Sequence, residues 1–275
     1  MGKILLIDIT RCNGCYSCQI SCKDEHVDNE WMPYAKPQPN TGHFWYKITE
    51  TVQGTVPKVR VHYMHEVCQH CDNAPCIAAA KDGAVYKRPD GIVIIDPEKA
   101  KGQKELVESC PYHAIYWNDV LDIPQKCTMC AHLLDNEGWT EPRCVQACPT
   151  DALIFGEEEE LKDRLGDFEQ LHPEYGTGPR VYYKGLLNKY FIAGEVYDPD
   201  ADECLEGATV TLLDSTGAAV KTVKTDVFGD FWFERNEPGE YSIKIEMDGY
   251  TARAMDSIDA TTKDVNVGSL ELKKA

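Results

Sequence analysis

The sequence predicts an α+β metal-binding region followed by an all-β sandwich. Three observations carry that reading. Twelve of the thirteen cysteines lie in the first 148 residues, mostly three to five positions apart. Short candidate strands and helices are interspersed among them. From Tyr190 onward cysteine nearly vanishes, and apolar and polar residues alternate with the period of a half-buried strand. A chain of 275 residues is long enough for two domains. The change of texture divides it into residues 1–188 and 189–275.

Charge and composition narrow the function. The balance of 28 Lys and Arg against 46 Asp and Glu leaves a net charge of −18 and a pI near 4.8. That excludes nucleic acid as a partner, because phosphate binding needs basic surfaces. No run of 18 apolar residues exists, so the reading has no membrane insertion. The N-terminal MGKILLIDITRC reads as a strand, not a secretory signal, and no twin-arginine pair is present. The expected setting is cytoplasmic. There, clustered thiols bind metal more often than they form disulfides. No nucleophile–base pair, paired carboxylates or glycine-rich phosphate loop stands out, so no catalytic residue is assigned.

The elements follow in chain order. Residues 3–9, 45–51, 58–63, 92–95 and 152–155 are strand candidates, apolar and rich in β-branched and aromatic residues. The first motif is Cys12-x2-Cys15-x2-Cys18-x3-Cys22. In this bacterial ferredoxin run, three thiolates wrap one corner of a cubane while the fourth ligates the other cluster of a pair. A partner run is therefore required. It is supplied by Cys127, Cys130, Cys144 and Cys148-Pro149, with a widened middle gap. Crosswise pairing builds one site from Cys12, Cys15, Cys18 and Cys148, and a second from Cys22, Cys127, Cys130 and Cys144. Taken alone, the later run also suits tetrahedral zinc, and a zinc-stabilised binding module is the non-enzyme alternative.

The middle motif, Cys68-x2-Cys71-x4-Cys76, reaches Ala80 where a fourth cysteine would stand. Its partner run reads Ala100, Gln103, Leu106 and Cys110-Pro111. The crosswise rule completes a third site from Cys68, Cys71, Cys76 and Cys110. The fourth site would need Ala80, Ala100, Gln103 and Leu106, none of them a thiol. Random loss would strand cysteines at half-built sites. Here every absence falls on one cluster. Side chains should pack the vacated volume, since an empty cavity is costly, with Lys101 and Lys104 pointing out.

Other features have plainer readings. His70 and His113 lie within or beside motifs already complete in cysteine, so they are expected to bond cluster sulfur or simply pack, not to ligate. Residues 29–47 are rich in aromatics and proline, which suits either a core or a subunit interface. Residues 157–171 read as a charged, helix-like stretch with a solvated face, and 175–187 as an extended tail. Cys204 stands alone and is not counted as a ligand. Beyond it, ATVTLLD from Ala208, DFWFER from Asp230 and YSIKIEM from Tyr241 alternate between turn residues, as sandwich strands do. Residues 190–275 carry a net charge of −10.

These segments also carry a likeness. ITRCNGCYSCQISCKDEH, HEVCQHCDNAPC, DGIVIIDPEK, SCPYHAIYWN, KCTMCAHLL and RCVQACPTDALIFG resemble the iron–sulfur subunits of the dimethyl sulfoxide reductase superfamily. The resemblance covers roughly residues 1–188 and implies a double-ferredoxin-like domain with [4Fe–4S] clusters. It implies a separate large catalytic subunit holding a molybdenum or tungsten bis-pterin cofactor, in a heterodimer or a multiple of one. Members usually hold four clusters in a line. The outermost passes electrons to a membrane subunit or quinone, and it is the one whose cysteines are absent here. From Ile192, the sequence resembles the transthyretin-like (carboxypeptidase regulatory-like) sandwich. The combination resembles the small subunits of transhydroxylases of the pyrogallol–phloroglucinol type, which implies an electron-transfer role in polyphenol chemistry. Small subunits of catechol dehydroxylases or resorcinol hydroxylases, and respiratory subunits feeding a membrane partner, are the alternatives.

Overall fold

The computed structural model describes residues 2–136 and 138–275. Its contacts group into two units, Met1–Glu50 with Tyr63–Gly185, and Thr51–His62 with Leu186–Ala275. Among the described residues no helix is long and apolar enough to cross a membrane.

In the first unit a four-stranded sheet organises the chain. Lys3–Asp8 lies at its centre, antiparallel to Leu153–Glu157 and parallel to Val181–Lys184, which in turn pairs with Glu169–Gln170. Ile4, Leu5, Leu6 and Ile7 are all buried, the continuous apolar run of a strand covered on both faces. Part of the stretch read as an extended tail is therefore a central strand. The alternation in VYYK places Val181 and Tyr183 inward, both fully buried. The Tyr183 hydroxyl donates to the His65 carbonyl at 3.1 Å.

Helices are short. The longest among the described residues is Ser17–His26, with Lys23 in the last turn, where the dipole favours positive charge. The charged stretch departs from a single helix. It forms a four-residue helix Glu158–Leu161 and a 3-10 segment Lys162–Asp167, then enters the strand Glu169–Gln170. Neither helical segment buries a residue, so no packed face sustains a longer helix. In the aromatic segment Trp45 and Tyr46 are buried, while Met32 stays 37% exposed. Tyr46–Thr55 and Lys58–Val67 form a hairpin.

The second unit contains two four-stranded sheets. One places Tyr190–Asp198 beside Glu203–Cys204, Asp230–Asn236 and the parallel Val265–Glu271. The other runs Ala219–Lys224, Thr209–Asp214, Gly239–Glu246, Arg253–Ala260. Alternation sends Val210, Leu212, Phe231, Phe233, Ile243 and Ile245 into one shared core, as period-2 strands facing one another require. Cys204 is exposed at the end of a short strand.

Candidate metal centres

Local geometry sets the thiols. Asp8 caps a 3-10 turn, Ile9–Arg11, by accepting the Thr10 N–H at 3.1 Å, and the chain then loops through Cys12 to Cys15. Gly14 sits in that loop at φ +68°, and a side chain there would strike the Tyr63 ring. Cys18 and Cys22 lie four residues apart on the helix Ser17–His26, hence on one face. Cys144 and Cys148 repeat the spacing around the short helix Arg143–Gln146.

Eight of the thiols line two cavities, four in each. Cys22, Cys127, Cys130 and Cys144 line one cavity with Leu5, His26 and Tyr46. Cys68, Cys71, Cys76 and Cys110 line another with His70, Val93 and Lys126. Cys12, Cys15, Cys18 and Cys148 stand close enough to act on one another electrostatically. Among the described residues no three His, Cys, Asp or Glu side chains are placed to hold a single metal ion. All thirteen cysteines are free thiols.

Burial sets the protonation of these groups. It pushes Cys18 and Cys71 up to about 12, with repulsion from neighbouring thiolates adding to the effect. Cys76 and Cys127 rise to about 11 for the same first reason, and Cys22 and Cys144 lie well above the ordinary thiol range. The exposed Cys15 is held low by its hydrogen bond with Ser17. Such buried thiols remain protonated on their own. They become thiolates only when cationic metal compensates the charge. Sulfur donors in this number suit iron–sulfur chemistry.

The structure separates the two histidines that the sequence treats together. His70 lines the cavity of Cys68, Cys71, Cys76 and Cys110. His113 is exposed and lines a neighbouring cleft of about 530 Å³, which shares Gln69, Pro111 and Tyr112 with the wall of that cavity. Two cavity-lining residues escaped the sequence reading, His26 and Lys126. Lys126 directly precedes Cys127, and that adjacency was the available signal. His26 follows Cys22 by one helical turn. Burial lowers it to about 3, so it is neutral.

The four thiol-less positions also come together. Ala100 and Leu106 are fully buried in one core with Ala74, Val85 and Ile95, and Ala80 packs against it. Gln103 is 7% exposed. Its side-chain oxygen accepts the Lys81 N–H at 2.9 Å, and its amide donates to the carbonyls of Lys99 at 2.8 Å and Lys81 at 3.3 Å. Lys101 and Lys104 are exposed.

Comparison with known proteins agrees with this anatomy. Residues 59–158 match the 4Fe-4S dicluster domain family, and residues 192–273 the carboxypeptidase regulatory-like domain family. The pyrogallol hydroxytransferase small subunit of Pelobacter acidigallici is 42% identical over 277 residues, covering 98% of each chain. A putative dimethyl sulfoxide reductase iron-sulfur subunit of Halobacterium salinarum is 34% identical, over 65% of this chain and 77% of its own. A tetrathionate reductase subunit of Salmonella typhimurium is 33% identical, over 66% of this chain and 72% of its own.

Proposed function

The chain is an electron-transfer iron–sulfur subunit of the dimethyl sulfoxide reductase superfamily, and from that membership we propose a specific role. It holds three [4Fe–4S] clusters and relays electrons for a large molybdenum- or tungsten-pterin subunit acting on polyphenols. The observation that carries this reading is the full-length likeness to the pyrogallol hydroxytransferase small subunit, sandwich included. The assigned ligands are Cys12, Cys15, Cys18 and Cys148; Cys22, Cys127, Cys130 and Cys144; and Cys68, Cys71, Cys76 and Cys110. Two of these sets each line a single cavity, which supports the crosswise pairing. Each bound cluster would supply one-electron transfer.

The chain's own part is to bring thiols from distant segments together and exclude water behind apolar walls. The apolar packing at Ala80, Ala100 and Leu106 supports a relay of three clusters without a fourth. We place the complex in the cytoplasm as a heterodimer or a multiple of one, with the sandwich as a stabilising cap or added interface. Thiolate ligation favours a reducing compartment.

The test is anaerobic purification of the chain with its co-expressed large subunit. Metal analysis should give about twelve iron and about twelve sulfide per small subunit, four of each for every Cys₄ cubane. A count of about sixteen iron would sink the three-cluster assignment, and zinc without sulfide would sink the cluster reading. Transfer of a hydroxyl between pyrogallol and phloroglucinol, with no added electron carrier, checks the substrate class. Activity that needs an external donor would instead favour the dehydroxylase alternative.

A further inference from the structure

Two buried donors border the cavity of Cys68, Cys71, Cys76 and Cys110, and the protein satisfies neither fully. His70 is 1% exposed. Its Nδ1 accepts the Val93 N–H at 3.0 Å, so the neutral ring carries its proton on Nε2. Nε2 has no hydrogen-bond partner among the described residues. An interior donor left so is costly, so the site is built to receive an acceptor.

Lys126 is 3% exposed. It donates to the carbonyls of Val93 and Cys127, the latter at 3.0 Å. An ammonium has three N–H groups, and both of these acceptors are neutral. A buried cation facing only neutral acceptors is strongly disfavoured unless an anion lies nearby. The anion that this cavity would supply is a cluster held by the four cysteines that line it, as thiolates. Among the described residues the cavity of Cys22, Cys127, Cys130 and Cys144 has no lysine or arginine in its lining, although the charge of Lys126 also reaches Cys127 and that of Arg143 reaches Cys130.

We propose that His70 Nε2–H and Lys126 together raise the reduction potential of the cluster of Cys68, Cys71, Cys76 and Cys110, so that it takes up an electron more readily than the same four thiolates would allow without them. This rests on the three-cluster reading above. Reduction from the 2+ to the 1+ core takes one electron from the adjoining cluster, adds one negative charge and breaks no bond. A nearby cation and an unpartnered N–H in the cavity wall would stabilise the added charge, because net charge and hydrogen bonds to sulfur set cluster potentials. His70 and Lys126 act through the cluster and are positioning residues, not catalytic ones.

The experiment is an EPR-monitored redox titration of the assembled complex. Cys110→Ser identifies which reduction step belongs to this cluster. Lys126→Met should lower that step's equilibrium constant at least tenfold, about 59 mV for one electron, with a smaller shift of the Cys127 cluster's step and none of the Cys12 cluster's. Lys126→Arg should keep the wild-type value. His70→Ala should lower the same step and abolish a deuteron coupling to that cluster after exchange into D₂O. A shift confined to the Cys127 cluster, a shared shift of all three, or no shift would overturn the proposal. Should Lys126→Met fail to load the cluster, His70→Ala decides: a lowered step with loss of the deuteron coupling supports the proposal, and an unchanged step refutes it. A wild-type iron count away from about twelve would instead fault the three-cluster reading.

Discussion

The region around Cys68, Cys71, Cys76 and Cys110 and the region around Ala80, Ala100, Gln103 and Leu106 use paired motifs of the same spacing to opposite ends. The first encloses a cavity walled by four thiols and two buried polar side chains. The second has no thiol at its own four positions, and Ala100 and Leu106 are buried in an apolar core that Cys71 and Cys76 also enter. A cluster ties distant backbone segments together through covalent metal bonds. In the second region Gln103 spans such a gap, joining the Lys81 and Lys99 segments with hydrogen bonds. The difference teaches that positions with the spacing of a ligand set can build a core when none of them is a thiol. A single leftover thiol would have kept a cost without a use.

The largest expected effect comes from the thiol side. Cys110→Ser should remove one cluster and lower iron from about twelve to about eight per chain, as read by metal analysis. Loss of the Cys12 cluster instead would break the pairing scheme. On the packed side, Leu106→Ala should destabilise the first unit by about 2–5 kcal/mol, since it opens a cavity in a fully buried site. The thermal midpoint of the loaded chain measures this, and a change within about 0.5 kcal/mol would show that the site is not tightly filled.

Gln103→Ala comes next. It strands the Lys81 N–H and the Lys99 carbonyl, at a cost of about 1–3 kcal/mol. Gln103→Leu should recover none of it, because the lost partners are polar. Hydrogen exchange at the Lys81 amide should rise in both variants. The smallest effect belongs to Lys101→Ala, expected within about 0.5 kcal/mol because the side chain is exposed. A larger loss would mean that the lysine reaches into the packed region.

Legibility differed between the two regions for a physical reason. The cysteines announce themselves, because cubane ligation demands fixed spacings along the chain. The packed region announces itself only by contrast, as Ala80, Ala100, Gln103 and Leu106 standing where the spacing calls for thiols. Nothing in the sequence marks Gln103 as a clip, since its partners at Lys81 and Lys99 come from different segments. The strand Val181–Lys184 was hidden for a related reason. Its pairing partner, Lys3–Asp8, lies at the other end of the unit, and Gly- and Pro-rich neighbours disguise it as a tail.

The sequence by itself determined the two-part architecture and the exposure of Lys101 and Lys104, and it supplied the crosswise thiol pairing on which the proposed ligand sets rest. Each follows from short-range spacing or from alternation of polarity. Only the tertiary structure decided which polar groups stand beside which thiols. Lys126 sits next to Cys127 in the chain, yet it lines the cavity of the other set. The proton on His70 is placed by an amide 23 residues away. A buried donor or charge takes its meaning from whatever the fold brings within bonding distance, and spacing along the chain carries no record of that.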